Sequence, residues 1–245
     1  MKSRSRAMIL AAGLGTRLKP LTDYMPKPLV PVLGKPMIVY VLEHLQKYGY
    51  TEAMVNVHYL SQNMKDFVQH WNQSSAKLRI EIQDESDKLL DSGGAIKRAG
   101  PWLFAEHQSA LICNADVIAH PDLSALQHAH EGLRDREKVE CTLTAMKHHD
   151  AGIKYNGMRI VQEKVIDFER PGKPAPQLFH FPGFYVLEKS TLARLPKDKD
   201  KFSIREDLWI PLAKEKKLGA WIYDGDYFDL GTPDDIRVAE SNLRS

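Results

Sequence analysis

The sequence predicts an α/β fold in which helices cover both faces of a mainly parallel sheet. Three observations predict it. Short apolar runs alternate with amphipathic helical stripes along the first half of the chain, in the order β-α-β-α-β. The first strand runs straight into a Gly-x-Gly turn, as chains do where they leave the carboxyl edge of such a sheet. The composition, 43% hydrophobic and 27% charged over 245 residues, is that of an ordinary globular chain long enough to bury a core in one large domain or two small ones.

Residues 7–11 form the first strand, apolar throughout as a strand covered on both faces must be. A long polar, Pro-rich connection follows as far as Pro36, broken by Leu29 and Val30, and connections of this length are either functional or disordered. From Met37 the residues Ile38, Val41, Leu42 and Leu45 recur at i, i+3, i+4 and i+7, with Gly49 as a stop, which predicts an amphipathic helix. A strand over 53–57 leads to a second stripe, Met64, Phe67, Val68 and Trp71. Leu78, Ile80 and Ile82 then alternate as in a half-buried strand. After a loop over 84–92 a helix begins near Gly93, and residues 110–113 make a short buried strand that stops at Asn114-Ala115-Asp116. Farther on, the pattern predicts a helix over 123–130 and strands over 139–147, 158–161, 165–168 and 181–187. Helices over 204–214 and 233–242 bracket a last strand at 221–223. No composition shift marks a linker and no hexapeptide array follows residue 230, so one domain with a Rossmann-like three-layer α/β/α architecture is expected.

Several function classes lose ground at once. Lys plus Arg number 34 against 32 for Asp plus Glu, a net charge of +2, so no field of one sign favours nucleic acid or an anionic membrane. Only Cys113 and Cys141 occur, both in apolar stretches and far from a C-x-x-C pair, which reads as buried reduced thiols. No run reaches the roughly 18 apolar residues of a membrane span. The basic Lys2, Arg4 and Arg6 before an apolar run imitate a short leader. The run reads instead as the first strand, followed by Arg17 and Lys19 without a clear cleavage site, so a cytoplasmic protein is expected.

The chemistry gathers at the carboxyl edge. Gly13-Leu14-Gly15-Thr16-Arg17 follows the first strand, where glycines let backbone N–H groups approach a phosphate and Arg can fork two of its oxygens. It is not a Walker A loop, and Leu18 stands where the dinucleotide fingerprint wants its third Gly, so a P-loop kinase and a dehydrogenase are disfavoured. Lys27 is mounted between Pro26 and Pro28, a rigid setting for an ammonium that neutralises phosphate charge. Asp116, just past a buried strand, is well placed to hold Mg²⁺, with the late Asp229 as the second carboxylate; a helix cap and a turn former are their bland alternatives. His148-His149-Asp150 lacks further ligands at recognisable spacing and reads as a solvated turn.

The compound run Leu10-Ala11-Ala12-Gly13-Leu14-Gly15-Thr16-Arg17 with Pro26-Lys27-Pro28-Leu29-Val30-Pro31 resembles the signature of the sugar-1-phosphate nucleotidylyltransferases. Val55-Asn56-Val57-His58-Tyr59-Leu60 and the segment from Asp84 to Gly94 extend the resemblance over about residues 7–116. It thins afterwards to Phe202-Ser203 and Asp229-Leu230-Gly231-Thr232-Pro233. Within the family the chain most resembles the type that acts on UTP and N-acetylmuramate 1-phosphate. Guanylyl transfer to mannose or heptose 1-phosphate, and a catalytically silent regulator that binds nucleotide sugars, are the alternatives.

The resemblance implies a single nucleotide-diphospho-sugar transferase domain over 1–245, with the nucleotide held by about 7–120 and the sugar by about 140–232. It implies Mg²⁺ on Asp116 and Asp229, catalysis by Arg17, Lys27 and Asp116, and nucleotide contacts from Ala11, Ala12, Gly13, Gly15, Thr16 and Asn114. Ser92 and Gly93 would lie against the base or ribose, and Glu85 would read the base edge unless it is merely solvated. Glu169 would accept sugar hydroxyls, or belong to a surface charge cluster. Gly183 would let the sugar approach, or be a β-bulge. The family motif usually reads Asn-Gly-Asp where Ala115 stands here, a change that matters if that residue needs positive φ. The partners expected are a nucleoside triphosphate and a sugar 1-phosphate, with no nucleic acid or membrane, and a monomer or homodimer is expected.

Overall fold

A computed structural model describes residues 6–74, 77–172 and 175–244, so Lys2 and Arg4 of the leader-like start lie outside the described residues. The first half reads β1 (Ala7–Leu10), β2 (Pro31–Val32), β3 (Lys35–Pro36), α1 (Met37–Lys47), β4 (Glu52–Val57), α2 (Ser61–Gln73), β5 (Arg79–Asp84), α3 (Asp91–Leu103), β6 (Ser109–Asn114), β7 (Val117–Ala119) and α4 (Leu123–Glu137). The second half adds β8 (Cys141–Lys147), β9 (Gly157–Val161), β10 (Lys164–Glu169), β11 (Leu178–His180), β12 (Phe184–Glu188), α5 (Ile210–Lys214), β13 (Leu218–Ile222), β14 (Tyr227–Asp229) and α6 (Pro233–Leu243).

Ten strands form the central sheet, in the order β11-β9-β10-β13-β8-β12-β6-β1-β4-β5, with β11 also pairing β8. The expectation of a mainly parallel sheet holds for only part of it. β6, β1, β4 and β5 run parallel, as do β8 and β13. β12 is antiparallel to both β6 and β8, and the hairpin strands β9, β10 and β11 pair antiparallel. The sheet is therefore mixed, because its second half is built from hairpins rather than from strand-helix-strand units.

Alternation along each strand divides the core into two layers. Ala7 and Ile9 of β1 face one way, onto Ile38, Val41, Leu42 and Leu45 of α1 and Met64 and Val68 of α2. Met8 faces the other way, onto Ala95, Ile96 and Ala99 of α3 and Leu208 and Leu212. This is the three-layer arrangement expected. Cys113 and Cys141 lie unpaired within it, and burial pushes both thiols up. No helix among the described residues is long and apolar enough to cross a membrane.

The long connection after β1 is ordered. Leu18, Val30 and Val32 are fully buried with Ile118, Leu230 and Ile236 in a third core, and each buried aliphatic side chain contributes about 1.5–3 kcal/mol. Short 3₁₀ turns at Thr16–Leu18, Leu21–Asp23 and Lys27–Leu29 and the β2–β3 hairpin carry its backbone. The strand expected over 181–187 is interrupted instead. Pro182 cannot donate to a ladder and Gly183 has φ +96, so β11 ends at His180 and β12 begins at Phe184. The helix expected over 204–214 opens as a π turn, Arg205–Trp209, before α5.

Candidate active site

Two elements that the sequence pattern did not reveal, β7 and β14, assemble the acidic centre. They pair antiparallel with Asp229 opposite Val117, and the Leu230 N–H donates to the Asp116 carbonyl at 3.1 Å. Asp229 is thereby set beside Asp116 although 113 positions separate them in sequence. Burial first, and then the neighbouring Asp116 carboxylate, push the Asp229 carboxyl above its ordinary range, with Lys27 partly offsetting them.

Lys27 Nζ donates to Asp116 Oδ2 at 2.6 Å, its side chain almost fully enclosed while Asp116 stays partly open. The mounting of this ammonium is visible in detail. Gly15, at φ +64, leaves no room for a Cβ, which would lie 2.8 Å from Thr22 Cγ2 and 3.0 Å from Lys27 Cβ. Thr22 Oγ1 donates to the Gly15 carbonyl at 2.8 Å and ties the Gly turn to the Leu21–Asp23 turn that precedes the Pro-Lys-Pro segment. Ala115 takes no positive φ, and its N–H donates to the Leu10 carbonyl at 3.1 Å, so the methyl group introduces no strain at that position.

Two cavities share this edge. One, of about 420 Å³, is lined by Leu10, Ala12, Gly13, Asn56, Ser92, Asn114, Asp116, Asp91, Leu89 and Lys201. A Cβ on Gly13 would meet nothing, so the backbone there stands open to a ligand. The other, of about 370 Å³, reaches under the hairpin strands and is lined by Arg17, Lys154, Tyr155, His180, Phe168, Phe181, Arg205, Trp209, Tyr227 and Asp229, among others. Asn114 and Asp116 belong to the walls of both. Arg17 stands on the second wall, with its guanidinium over Gly231, where a Cβ would come within 2.9 Å of it; it makes no ion pair with the described residues. Thr16 is exposed at the start of its turn.

Four expectations need correction. Glu85 is fully buried and does not face a base. Its Oε1 accepts from Asn56 Nδ2 at 3.1 Å and Gln83 Nε2 at 2.8 Å, and its Oε2 accepts from the Leu90 N–H at 3.2 Å. Through Asn56 Oδ1, which accepts from the Ala11 N–H at 2.8 Å, it braces the phosphate-loop backbone. Gly93 packs against Phe202, whose ring would lie 2.4 Å from an added Cβ, so it seats α3 rather than touching base or ribose; Ser92 beside it does line the first cavity. Glu169 is off the cavity wall, facing Arg159 on β9 at 3.5 Å, while its neighbour Phe168 lines the cavity on the opposite face of the strand. A Cβ on Gly183 would lie 2.8 Å from Val117 Cγ2 and 3.3 Å from Asn114 Cβ, so the glycine lets the chain pass close behind Asn114, and it is buried and lines neither of the two cavities.

Residues that the motifs did not point to complete the site. Asn56, a buried amide in an apolar strand, carried a readable signal. Trp209 lies in an apolar stretch that reads as core, and Tyr227, His180 and Arg205 carried no signal. His148, His149 and Asp150 bring ligand-type atoms within 4.8 Å of one another, and His148 stacks on His149 at 4.5 Å beside Tyr155 and His180.

The profile of the family described as "Nucleotidyl transferase" matches residues 6–245. The chain belongs to this family. It is similar to the N-acetylmuramate alpha-1-phosphate uridylyltransferase of Caulobacter vibrioides, 30% identical over 97% of this chain and 96% of that one. It is equally similar to the D-glycero-alpha-D-manno-heptose 1-phosphate guanylyltransferase of Campylobacter jejuni, 30% identical over 94% and 96%. Among solved structures it resembles HddC from Yersinia pseudotuberculosis complexed with GMP-PN, with a TM-score of 0.75 and 25% identity over 98% of this chain and 100% of that one. Its Gly turn, Lys27 and the acidic pair stand together along one strand edge.

Proposed function

We propose that the protein transfers a uridylyl group from UTP to N-acetylmuramate 1-phosphate, forming UDP-N-acetylmuramate and pyrophosphate. The observation that carries the reaction class is the wall at Asn114 and Asp116 common to two cavities, one against the Gly turn and one beneath the hairpin strands. A triphosphate in the first and a sugar 1-phosphate in the second meet there. An oxygen of the sugar phosphate attacks the α-phosphorus in line, the bond to the bridging α-β oxygen breaks, and pyrophosphate departs with that electron pair. The attacking oxygen is already ionised at neutral pH, so positioning and charge neutralisation supply the catalysis without a protein nucleophile.

Lys27, fixed on Asp116, offsets charge at the α-phosphate, and Arg17, on the wall of the second cavity, forks oxygens of the phosphate held where the two cavities meet. Two adjacent carboxylates, one of them reluctant to ionise in its buried setting, form the hard-oxygen donor set that suits Mg²⁺, so Asp116 and Asp229 would hold the ion. When bound, it would neutralise charge on the phosphates. The likeness to an N-acetylmuramate-type uridylyltransferase supports UTP and this sugar, and on this reading the protein works in peptidoglycan recycling in the cytoplasm, as a monomer or homodimer.

Guanylyl transfer to a heptose or mannose 1-phosphate is the second reading. Asp91 on the first cavity wall favours it, since guanine offers N–H donors that a carboxylate accepts. Pyrophosphate release with Mg²⁺, one triphosphate at a time against a panel of sugar 1-phosphates, decides between them. Release confined to UTP with N-acetylmuramate 1-phosphate is the expected result. A GTP-specific pair would replace the substrates and keep the reaction, and silence with nucleotide-sugar binding intact would favour a regulatory protein.

A further inference from the structure

The second cavity contains buried polar atoms that no described residue satisfies: Arg205 Nε, Trp209 Nε1 and both ring nitrogens of His180. Trp209 and His180 are each 6% exposed, so water does not readily take the place of a partner. Unpaired buried polar atoms are rare in folded proteins; Arg205 Nε and Trp209 Nε1 lack acceptors, while the neutral His180 ring holds one donor and one acceptor nitrogen, and their gathering on one wall points to a ligand.

Arg205 and Trp209 sit at the two ends of the π turn, which the Ile210 N–H closes on the Arg205 carbonyl. π turns are uncommon and occur frequently at functional sites. The Arg205 guanidinium carbon lies 5.3 Å from the centre of the Phe168 ring, and Phe181 meets Trp209 edge-on at 5.0 Å. One edge of the guanidinium pairs with half-exposed Glu206, while Nε remains inside. The acidic residues on this cavity wall are Asp116 and Asp229, both at the phosphate end, and Glu169 is off the wall. The Arg205 end therefore presents N–H donors and aromatic faces without a carboxylate. A guanidinium beside an indole N–H, stacked among aromatic rings, fits a carboxylate.

We propose that Arg205, assisted by Trp209, is the specificity-determining contact for a carboxylate carried by the sugar, so that the substrate is an acidic sugar 1-phosphate whose apolar linker rests on Phe168 and Phe181. This rests on the nucleotidyl-transfer reading and deepens it.

The test compares N-acetylmuramate 1-phosphate with N-acetylglucosamine 1-phosphate, the same sugar without the carboxylate-bearing ether, using the triphosphate selected above. Wild type, Arg205→Gln and Trp209→Phe are compared by kcat/KM. Wild type is expected to prefer the acidic sugar. Arg205→Gln narrows that preference by about tenfold to a hundredfold, the worth of a hydrogen bond to a charged group, through KM rather than kcat. Trp209→Phe, which keeps the ring and removes only the N–H, narrows it less and carries the test should Arg205→Gln fail to fold. A wild type indifferent to the carboxylate, or a loss in Arg205→Gln shared equally by both sugars, overturns the assignment while pyrophosphate release leaves the reaction class standing. Calorimetric titration with the two nucleotide sugars of the matching base reads the same discrimination without turnover, and equal affinities there also overturn it. Failure to bind either nucleotide sugar or to release pyrophosphate with any pair removes the nucleotidyl-transfer reading itself.

Discussion

Asp229 is held where burial and the Asp116 carboxylate both oppose its charge. Its folded-state pKa therefore lies above the ordinary 3.8, and the folded protein keeps a proton over a range in which the unfolded chain has released it. Ionising this carboxyl costs stability as pH rises through that window, and a divalent cation must displace the proton to bind. On the proposal that Asp116 and Asp229 hold Mg²⁺, the gain in Tm on adding Mg²⁺ is expected to be larger at pH 7 than at pH 4, just above the ordinary 3.8, and Asp229→Asn is expected to flatten the difference. Equal gains at both pH values would contradict the pair. At this scale the sequence was legible where a residue's chemistry is bound to a local motif, as with Gly15, Lys27 and Asp116. It was not legible where the answer depends on which face a side chain takes. Glu85 and Glu169 were read from their motifs, yet one is spent on Asn56, Gln83 and Leu90 and the other faces Arg159.

At the scale of elements, the seating of α3 on the segment before the π turn links the first and second halves of the chain. The Gly93 N–H donates to the Phe202 carbonyl at 2.9 Å, the Ile204 N–H donates to Ser92 Oγ at 3.1 Å, and a Cβ on Gly94 would fall 1.8 Å from the Asp200 carbonyl oxygen. Gly94→Ala must push the two segments apart, since the obstacle is backbone and cannot rotate away. A loss of about 1–3 kcal/mol in urea unfolding is expected, the usual cost of overpacking; unchanged stability would show that the helix does not seat there. The strands and helices of the first half were legible because apolar periodicity there has the right lengths. β7 and β14 were not, since three-residue strands leave no period, and Pro182 with Gly183 divides what reads as one apolar strand.

Across the whole molecule, the sheet changes character at β12, from parallel strands whose carboxyl ends face the first cavity to hairpins that roof the second. The phosphate loop belongs to both halves, because its buried Leu18 and Val30 share a core with Leu230 and Ile236 near the C-terminal end. Alternating elements announced the layers, but the mixed sheet followed from connections that periodicity does not encode. The central claim is that the edge shared by the two cavities is where nucleotidyl transfer occurs. It is tested most directly by pyrophosphate release from wild type and Asp116→Asn, with and without sugar 1-phosphate, alongside a thermal melt of each. Release by wild type that depends on the sugar phosphate, and its loss in an Asp116→Asn protein that still melts cooperatively, is the predicted result. Near-normal release from that variant would contradict the account.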